Sequence, residues 1–256
     1  MSHYSFIFLK NISVHPSFDA FFANSNTQDA LSKVENVLSG AVYTPAADVV
    51  LRFATVDLKS VKATIYGKDP YPQQGVATGR SFEVNGVTSW FDTDVNSSLK
   101  NIVKSMHKSY MGYDVGSPIA IVRADIESGT FPILPPNQAF AYWESKGVLF
   151  LNTAFTCEVG GIKQAGSHLA LWKPFFKLLM AYIAQENPTI KYFLWGDARK
   201  HAEPLKKLGI PSENIYLGKH PCTNGDNGGY QNGTKFLNCP CFKDTMDVIP
   251  WVVFPE

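Results

Sequence analysis

The sequence predicts an α/β fold: a three-layer α/β/α sandwich around a central four-stranded parallel sheet. Four short runs of β-branched and aromatic residues each end in loop-forming residues, which is typical of buried parallel strands. Stretches with helical spacing separate the runs, as crossover connections between parallel strands require. Because 256 residues can bury a sizeable core, we expect one domain over residues 1–256, with residues 1–60 as a helical segment packed on it.

The predicted strands lie at residues 62–66, 147–151, 190–194 and 214–217. Their sequences are KATIY, GVLFL, IKYFL and NIYL, and they are followed by GKDP, NT, WG and GKHP. Glycine, proline and asparagine favour turns, so these residues indicate where each strand ends.

Helices are predicted at residues 27–38, 98–106, 168–185 and 197–208, where apolar residues recur every three or four positions. Pro174 falls near the start of the third segment. We expect Pro204 to interrupt the fourth, because proline lacks the backbone N–H that a residue inside a helix needs.

Chemically active side chains follow the predicted strands. In open parallel sheets, ligands bind beyond the carboxyl ends of the strands. Those ends carry Lys68 and Asp69, Asn152, Trp195, and His220. An acid, an amide and an imidazole should therefore converge at one edge of the sheet, which predicts a functional site there.

Composition limits the classes of function. The net charge is only +1, from 23 Lys+Arg and 22 Asp+Glu, so any nucleic-acid surface must be local. The four cysteines form no Cys-x-x-Cys pair, so we expect neither a metal site nor a disulfide framework, but reduced thiols in a cytoplasmic or nuclear protein. No apolar stretch reaches about 18 residues and no signal-peptide pattern is present, so we expect no membrane span and no secretion.

Several motifs occur in a fixed order. They are GKDPYPQQGVATGRSF at residues 67–82, SLKNI at 98–102, LNTAFT at 151–156, SH at 167–168, FLWG at 193–196 and HP at 220–221. In order and spacing they resemble the uracil-DNA glycosylase superfamily over roughly residues 60–250. Singly, an Asp-Pro pair is usually a turn and a lone His or Phe is usually structural, so the inference depends on their conjunction.

The resemblance implies hydrolysis of the N-glycosidic bond of a flipped deoxyuridine, as in base-excision repair, without metal or cofactor. Asp69 would stabilise the sugar cation and orient water, and His220 would donate to the departing uracil O2. Asn152 would read O4 and N3–H, Phe82 would stack on the base, and Tyr71 would exclude the methyl group of thymine.

The resemblance also implies a DNA-contacting set: Ser98, Ser167, His168, Pro221, Cys222, Asn224 and Tyr230. Asn224 occupies the place of the leucine that wedges into duplex DNA in the common form. The loop from Cys222 onward is rich in glycine and asparagine, and Tyr230 is its only large apolar residue. Since unstacking a base costs least in single strands, a preference for single-stranded DNA is expected.

Two further departures lie beside the predicted catalytic acid. Lys68 replaces the usual Gln, whose main-chain contact with uracil could survive the change. Pro72 replaces the usual His, although poxvirus glycosylases also carry Tyr-Pro here.

Three functions remain open: an active uracil-DNA glycosylase, a catalytically weak or inactive binding module on the same fold, and a glycosylase for other damaged pyrimidines. The expected partner is uracil-containing DNA, bound by a monomer. A proteinaceous glycosylase inhibitor is a further candidate partner.

Overall fold

A computed structural model describes residues 5–223 and 235–253. The strands are β1 (Tyr43–Thr44), β2 (Ala63–Gly67), β3 (Val148–Asn152), β4 (Cys157–Glu158), β5 (Lys191–Trp195) and β6 (Ile215–Gly218). The helices are α1 (Asp19–Ala23), α2 (Ser25–Leu38), α3 (Ser97–Met111), α4 (Ile119–Glu127), α5 (Pro136–Ser145), α6 (Leu169–Glu186) and α7 (Ala202–Lys207).

The predicted four-stranded parallel sheet is confirmed, with the strand order β3-β2-β5-β6. Each strand begins and ends one residue later than its sequence pattern indicates, which is within the usual uncertainty of strand ends. In β2 and β3 every residue is buried, because helices cover both faces of the sheet. The register places Gly67 opposite Asn152 at the carboxyl end.

Alternating side chains of the strands supply two separate cores. Tyr66 and Leu151 face a cluster that includes residues of α1, α2, α6 and α7. Ile65 and Phe150 point to the other side and pack with residues of α3, α4 and α5. These two helical layers complete the three-layer arrangement.

Helix boundaries follow capping residues that the apolar periodicity did not reveal. The side chain of Asn24 accepts hydrogen bonds from the first turn of α2, and that of Asn96 accepts one from Leu99 in α3. Gly112, at φ 70°, ends α3 in a left-handed conformation. Both helices are consequently longer than predicted.

The expected interruption of the fourth helical segment by Pro204 is wrong. Residues Gly196–His201 form a 3-10 helix and α7 starts at Ala202, so the change of geometry precedes Pro204. Pro204 lies in the first turn of α7, where proline is tolerated because the missing N–H has no intrahelical partner.

The N-terminal part of the chain contains more than helices. Helix α2 packs against α6, while β1 forms a two-stranded antiparallel pair with β4. Among the described residues, no helix is both long and apolar enough to cross a membrane.

Candidate active site

A cavity of about 380 Å³ opens where the carboxyl ends of the four parallel strands meet. Its lining combines Asp69 after β2, Asn152 at the end of β3, Asp197 after β5 and His220 after β6. The other lining residues are Gly67, Lys68, Pro70, Tyr71, Pro72, Phe82, Ser98, Ile162, Ala165, Gly196 and Cys222. The acid, amide and imidazole that the sequence singles out thus surround one space. A larger groove of about 920 Å³ lies along α2, α6 and α7; its lining is mostly lysine and apolar side chains with Asn26 and Asp29, and it contains no imidazole.

Asp69 is held over the cavity by the segment before α6. The backbone N–H of Gly166 donates a hydrogen bond to its carboxylate. Burial raises the pKa of Asp69 above its ordinary value, while the Gly166 bond and the charge of Lys68 act in the opposite direction and Asp197 adds to the rise. The Asp69 carboxylate is therefore partly removed from water, and the Gly166 N–H holds one of its oxygens in place.

Asn152 lies against a strand position that only glycine can occupy. A Cβ atom on Gly67 would be 2.2 Å from Asn152 Oδ1 and 2.7 Å from Ser81 Cβ. Real Cβ contacts essentially never fall below 3.0 Å, so the missing side chain permits this close approach. Asn152 itself is only 5% exposed, which leaves the amide in a defined position.

The loop after β2 is fastened to the loop after β3. Thr153 donates its backbone N–H to the Gly67 carbonyl (3.0 Å) and its hydroxyl to the Lys68 carbonyl (2.8 Å). The thiol of Cys157 donates to the Pro70 carbonyl at 3.3 Å. These bonds extend the β2–β3 pairing beyond the strands and orient Asp69 relative to Asn152.

His220 has a defined tautomer when neutral. Its Nδ1 accepts a hydrogen bond from the Cys222 backbone N–H at 3.2 Å, so the neutral ring carries its proton on Nε2. Burial lowers the pKa of His220; Asp197 raises it and Lys68 lowers it further. Gly196, at φ 59°, makes room for the ring, since a Cβ there would lie 2.8 Å from His220 Cβ.

Two aromatic side chains line the cavity. Phe82 is 9% exposed and adopts φ 65°, and its ring lies 5.4 Å from that of Trp195 and 6.0 Å from that of His220. The Tyr71 hydroxyl donates to the Phe82 carbonyl at 3.4 Å and accepts from Asn96 Nδ2 at 3.1 Å. The two rings are therefore linked through the backbone of Phe82.

Three of the expected DNA contacts line or border the cavity. Ser98 lies in the first turn of α3, and Cys222 lines the mouth next to His220. Pro221 is buried, and its carbonyl accepts a 2.6 Å bond from Asn101 Nδ2, which ties this segment to α3.

Ser167 and His168 are outside the cavity lining. Ser167 is exposed, and its hydroxyl accepts from the backbone N–H of Glu158. His168 is buried, and its Nδ1 is 2.9 Å from the Thr156 hydroxyl. Asn224 and Tyr230 lie outside the described residues.

Two residues at the cavity, Asp197 and Gly166, are not among those that the sequence predicted. Asp197 lines the cavity, with its carboxylate 3.8 Å from Lys68 Nζ, and Gly166 supplies the hydrogen bond to Asp69. Asp197 follows directly on the predicted strand end, so its position after Trp195-Gly196 was a usable signal. Nothing local to Gly166 indicates its role. Within residues 5–223 and 235–253, no group of three or more His, Cys, Asp or Glu side chains could hold a metal ion, and the four cysteines are free.

No protein-family model matches the chain. Among curated proteins it is 32% identical over 200 residues to a uracil-DNA glycosylase of Neisseria meningitidis, covering 76% of this chain and 77% of that protein. It is 28% identical over 248 residues to the uracil-DNA glycosylase of Dichelobacter nodosus, covering 94% and 92%. A uracil-DNA glycosylase of Pseudomonas aeruginosa is 29% identical over 212 residues, covering 79% and 78%.

Solved structures share the fold. The wild-type UNG of Nitratifractor salsuginis superposes with a TM-score of 0.70 at 19% identity, covering 97% of this chain and 96% of that one. Mimivirus uracil-DNA glycosylase gives a TM-score of 0.59 at 19% identity, covering 84% and 75%. A mimivirus UNG in complex with UGI also gives 0.59, at 21% identity, covering 85% and 76%.

Proposed function

Because the chain belongs to the uracil-DNA glycosylase family, we propose that Asp69, Asn152 and His220 hydrolyse the N-glycosidic bond of a deoxyuridine flipped out of DNA. The observation that carries this assignment is the meeting of a carboxylate, an amide and a neutral imidazole around one cavity of about 380 Å³. These groups come from three different strand ends, far apart in the chain.

The base site is formed by Asn152, Phe82 and Tyr71. The Asn152 amide can donate to uracil O4 and accept from N3–H, a pattern that cytosine does not offer. The Phe82 ring provides a stacking surface, and Tyr71 stands where a methyl group at C5 would be excluded. Lys68 lines the same cavity, and because its carbonyl already accepts from Thr153 and Ala154, its backbone N–H is the main-chain group that would contact the base.

Bond cleavage places positive charge on the sugar and negative charge on uracil O2. The Nε2–H of neutral His220 can donate to O2 as that charge develops, which is a preorganised electrostatic contribution. Asp69 can stabilise the sugar cation and orient the attacking water. The Gly166 bond holds this carboxylate at a fixed place.

A catalytically inactive module is not favoured, because a pure binder has no need to keep all three groups in one cavity. Removal of other damaged pyrimidines depends on the space beside Tyr71. Replacing Tyr71 by Ala should allow thymine release if this ring forms the wall at C5. Absence of thymine release from a folded, uracil-active variant would place the wall elsewhere.

We further propose a preference for single-stranded DNA, with Ser98, Pro221 and Cys222 nearest to the nucleotide. The support is the absence of a leucine at the wedge position, where the sequence has Asn224. Rates on single-stranded and duplex oligonucleotides of the same sequence test it. Equal or faster cleavage of the duplex would reject it.

Three further proposals concern the binding partner, the cellular setting and the assembly. The structural likeness to a UNG that binds UGI suggests a proteinaceous inhibitor as a binding partner. The free thiols suit a cytoplasmic or nuclear setting. We propose that a monomer acts alone and that residues 1–60 belong to the same functional unit, because Arg52 lies 3.8 Å from Glu144 beside the loop that carries Phe82.

The decisive experiment incubates the protein with a uracil-containing oligonucleotide and then with alkali, which breaks the strand at abasic sites. We expect cleavage by the native chain and a loss of about 10²- to 10⁴-fold in Asp69→Asn. Asp29→Asn, the same change on the exposed surface of α2, is the matched control. Full activity in a folded Asp69→Asn protein would reject the assignment.

A further inference from the structure

Two residues before Phe82, Arg80 is the centre of a buried ion cluster that also contains Glu83 and Glu144. Arg80 donates from Nε and Nη2 to the two carboxylate oxygens of Glu144, at 3.0 and 2.6 Å. Its Nη1 donates to both oxygens of Glu83, at 3.1 and 3.0 Å. The side chains of Arg80, Glu83 and Glu144 are 7%, 10% and 16% exposed. We call these three residues the Arg80 cluster.

The Arg80 cluster brackets a strained residue of the base site. Within the described part of the chain, Phe82 is the one residue other than glycine with a positive φ, 65°. Such a conformation is strained and persists only where the surrounding structure holds it. Arg80 and Glu83 lie on either side of it in sequence. Between them, the Ser81 hydroxyl donates to the Ile65 carbonyl at 2.9 Å and fastens the segment to β2.

The segment before the cluster is equally constrained. At Gly79, with φ 87°, a Cβ would lie 2.2 Å from the Val49 carbonyl oxygen, so the loop passes directly against the N-terminal part of the chain. The Thr78 hydroxyl donates to Glu83 and accepts from the Arg80 backbone N–H at 3.3 Å. The backbone from Thr78 to Glu83 therefore closes on itself around the Arg80 side chain.

The position of the Phe82 ring depends on this backbone. Among the described residues, Trp195 and His220 are the aromatic neighbours of the ring, 5.4 and 6.0 Å away. The ring packs in the core cluster that includes residues of α3, and it forms part of the cavity lining. If φ of Phe82 relaxed to a negative value, the ring would leave the cavity floor. A buried ion cluster adds little net stability over packed apolar side chains, but its fork-like hydrogen bonds define a geometry well.

We propose that Arg80, Glu83 and Glu144 are positioning residues for the base site, which hold Phe82 in its left-handed conformation as the stacking surface under uracil. This inference rests on the proposed function.

The test separates base stacking from folding and from DNA-backbone binding. Free uracil, as a product inhibitor, reports on the base pocket, whereas an oligonucleotide with a tetrahydrofuran abasic site reports on backbone contacts. One base-ring stack corresponds to about 5- to 150-fold in affinity, so Phe82→Ala sets the benchmark for loss of uracil binding. We expect Glu144→Gln to weaken uracil inhibition by about 10-fold, with kcat reduced and abasic-site affinity changed less than about twofold.

Two further variants keep the test falsifiable if Glu144→Gln folds poorly. The combined replacement Arg80→Met, Glu83→Met and Glu144→Met removes every charge of the Arg80 cluster, so no member of the cluster is left buried beside a missing partner. Arg52, which lies 3.8 Å from Glu144, keeps a side chain that is 33% exposed to water. Asp125→Asn is the matched control, since it removes the carboxylate charge from a part-buried pair with His107 (2.7 Å) that is not part of the cavity lining. The combined variant should keep its fold yet bind uracil as weakly as Phe82→Ala, and Asp125→Asn should bind uracil normally.

Uracil inhibition at the native level in the folded combined variant would overturn the proposal and reduce the cluster to a structural role. The proposal would also be overturned if Asp125→Asn weakened uracil binding as much as Glu144→Gln, because the effect would then not be specific to the Arg80 cluster. If the native chain released no uracil, the proposed function would fail instead. If the native chain is active and Phe82→Ala weakens uracil binding while the cluster variants do not, this inference alone fails.

Discussion

Gly67→Ala should displace the Asn152 amide and lower glycosylase activity, because the added methyl group has no space beside that amide. Gly67 ends β2 and is paired in register with Asn152, and an added Cβ would lie 2.2 Å from Asn152 Oδ1. Because Cβ contacts essentially never fall below 3.0 Å, the amide oxygen must move by about 0.8 Å or the strand must shift. The strand has no free direction, since Ser81 Cβ would be 2.7 Å from the same atom.

The cost follows from that displacement. A misplacement of about 1 Å in a positioning group can lower the rate about 100-fold. Overpacking of this kind also destabilises a fold by about 1–3 kcal/mol. We therefore expect kcat/KM on a uracil oligonucleotide to fall about 100-fold, with a melting temperature only several degrees lower.

The assay is strand cleavage after alkali, at a temperature where the variant is fully folded. Gly161→Ala is the matched control, because a Cβ there meets no heavy atom within 4 Å and φ is −87°. It should stay within about twofold of the native rate. If Gly67→Ala retained the rate of Gly161→Ala, the close contact between Gly67 and Asn152 would not determine base recognition.

Three other perturbations follow from contacts at the site. The kcat/KM should fall on the acid side of neutrality, because Asp69 must be ionised and burial raises the pKa of its carboxyl. Burial lowers the pKa of His220, so its ring is neutral at and above neutral pH. A kcat/KM profile that is flat down to about pH 4 would contradict this. Asn101→Ala leaves the Pro221 carbonyl without its buried donor and should lower the free energy of unfolding by about 1–3 kcal/mol. The KM should rise, because the segment that carries His220 loses its tie to α3. An unchanged melting temperature would contradict this. Lys68 places a cation in the cavity lining, 3.8 Å from the Asp197 carboxylate, and its ammonium is expected to meet one phosphate of the bound strand. Lys68→Met should then reduce the salt slope of binding to single-stranded uracil DNA by about 0.7, the value of one phosphate contact, and Lys68→Arg should keep it. Equal slopes in the native and Met proteins would show that Lys68 makes no phosphate contact.

Secondary structure could be predicted where a local pattern was long or strongly apolar. The four parallel strands are displaced by one residue only, because turn residues end each of them and β2 and β3 are apolar runs buried on both faces. Helices α4 and α5 were missed. They have nine and ten residues, and both follow a proline at the N-cap, so their periodicity is short and their start resembles a loop.

The chemistry of the candidate site was also accessible from sequence. Asp69, Asn152 and His220 each follow a recognisable strand, and the carboxyl ends of parallel strands lie at one edge. The geometry between them was not accessible. The clearance at Gly67, the hydrogen bond from Gly166 to Asp69 and the proton position on His220 depend on segments brought together by the sheet.

Residue types and their local spacing determined the strands, the order of the motifs and the kind of chemistry, because side-chain period and turn preference act over a few neighbouring positions. Tertiary structure alone decided the strand order β3-β2-β5-β6, the pairing of Arg80 with Glu144 and the positive φ of Phe82. Those features arise from contacts between residues distant in the chain, whose energies depend on register and packing and leave no periodic trace in the sequence.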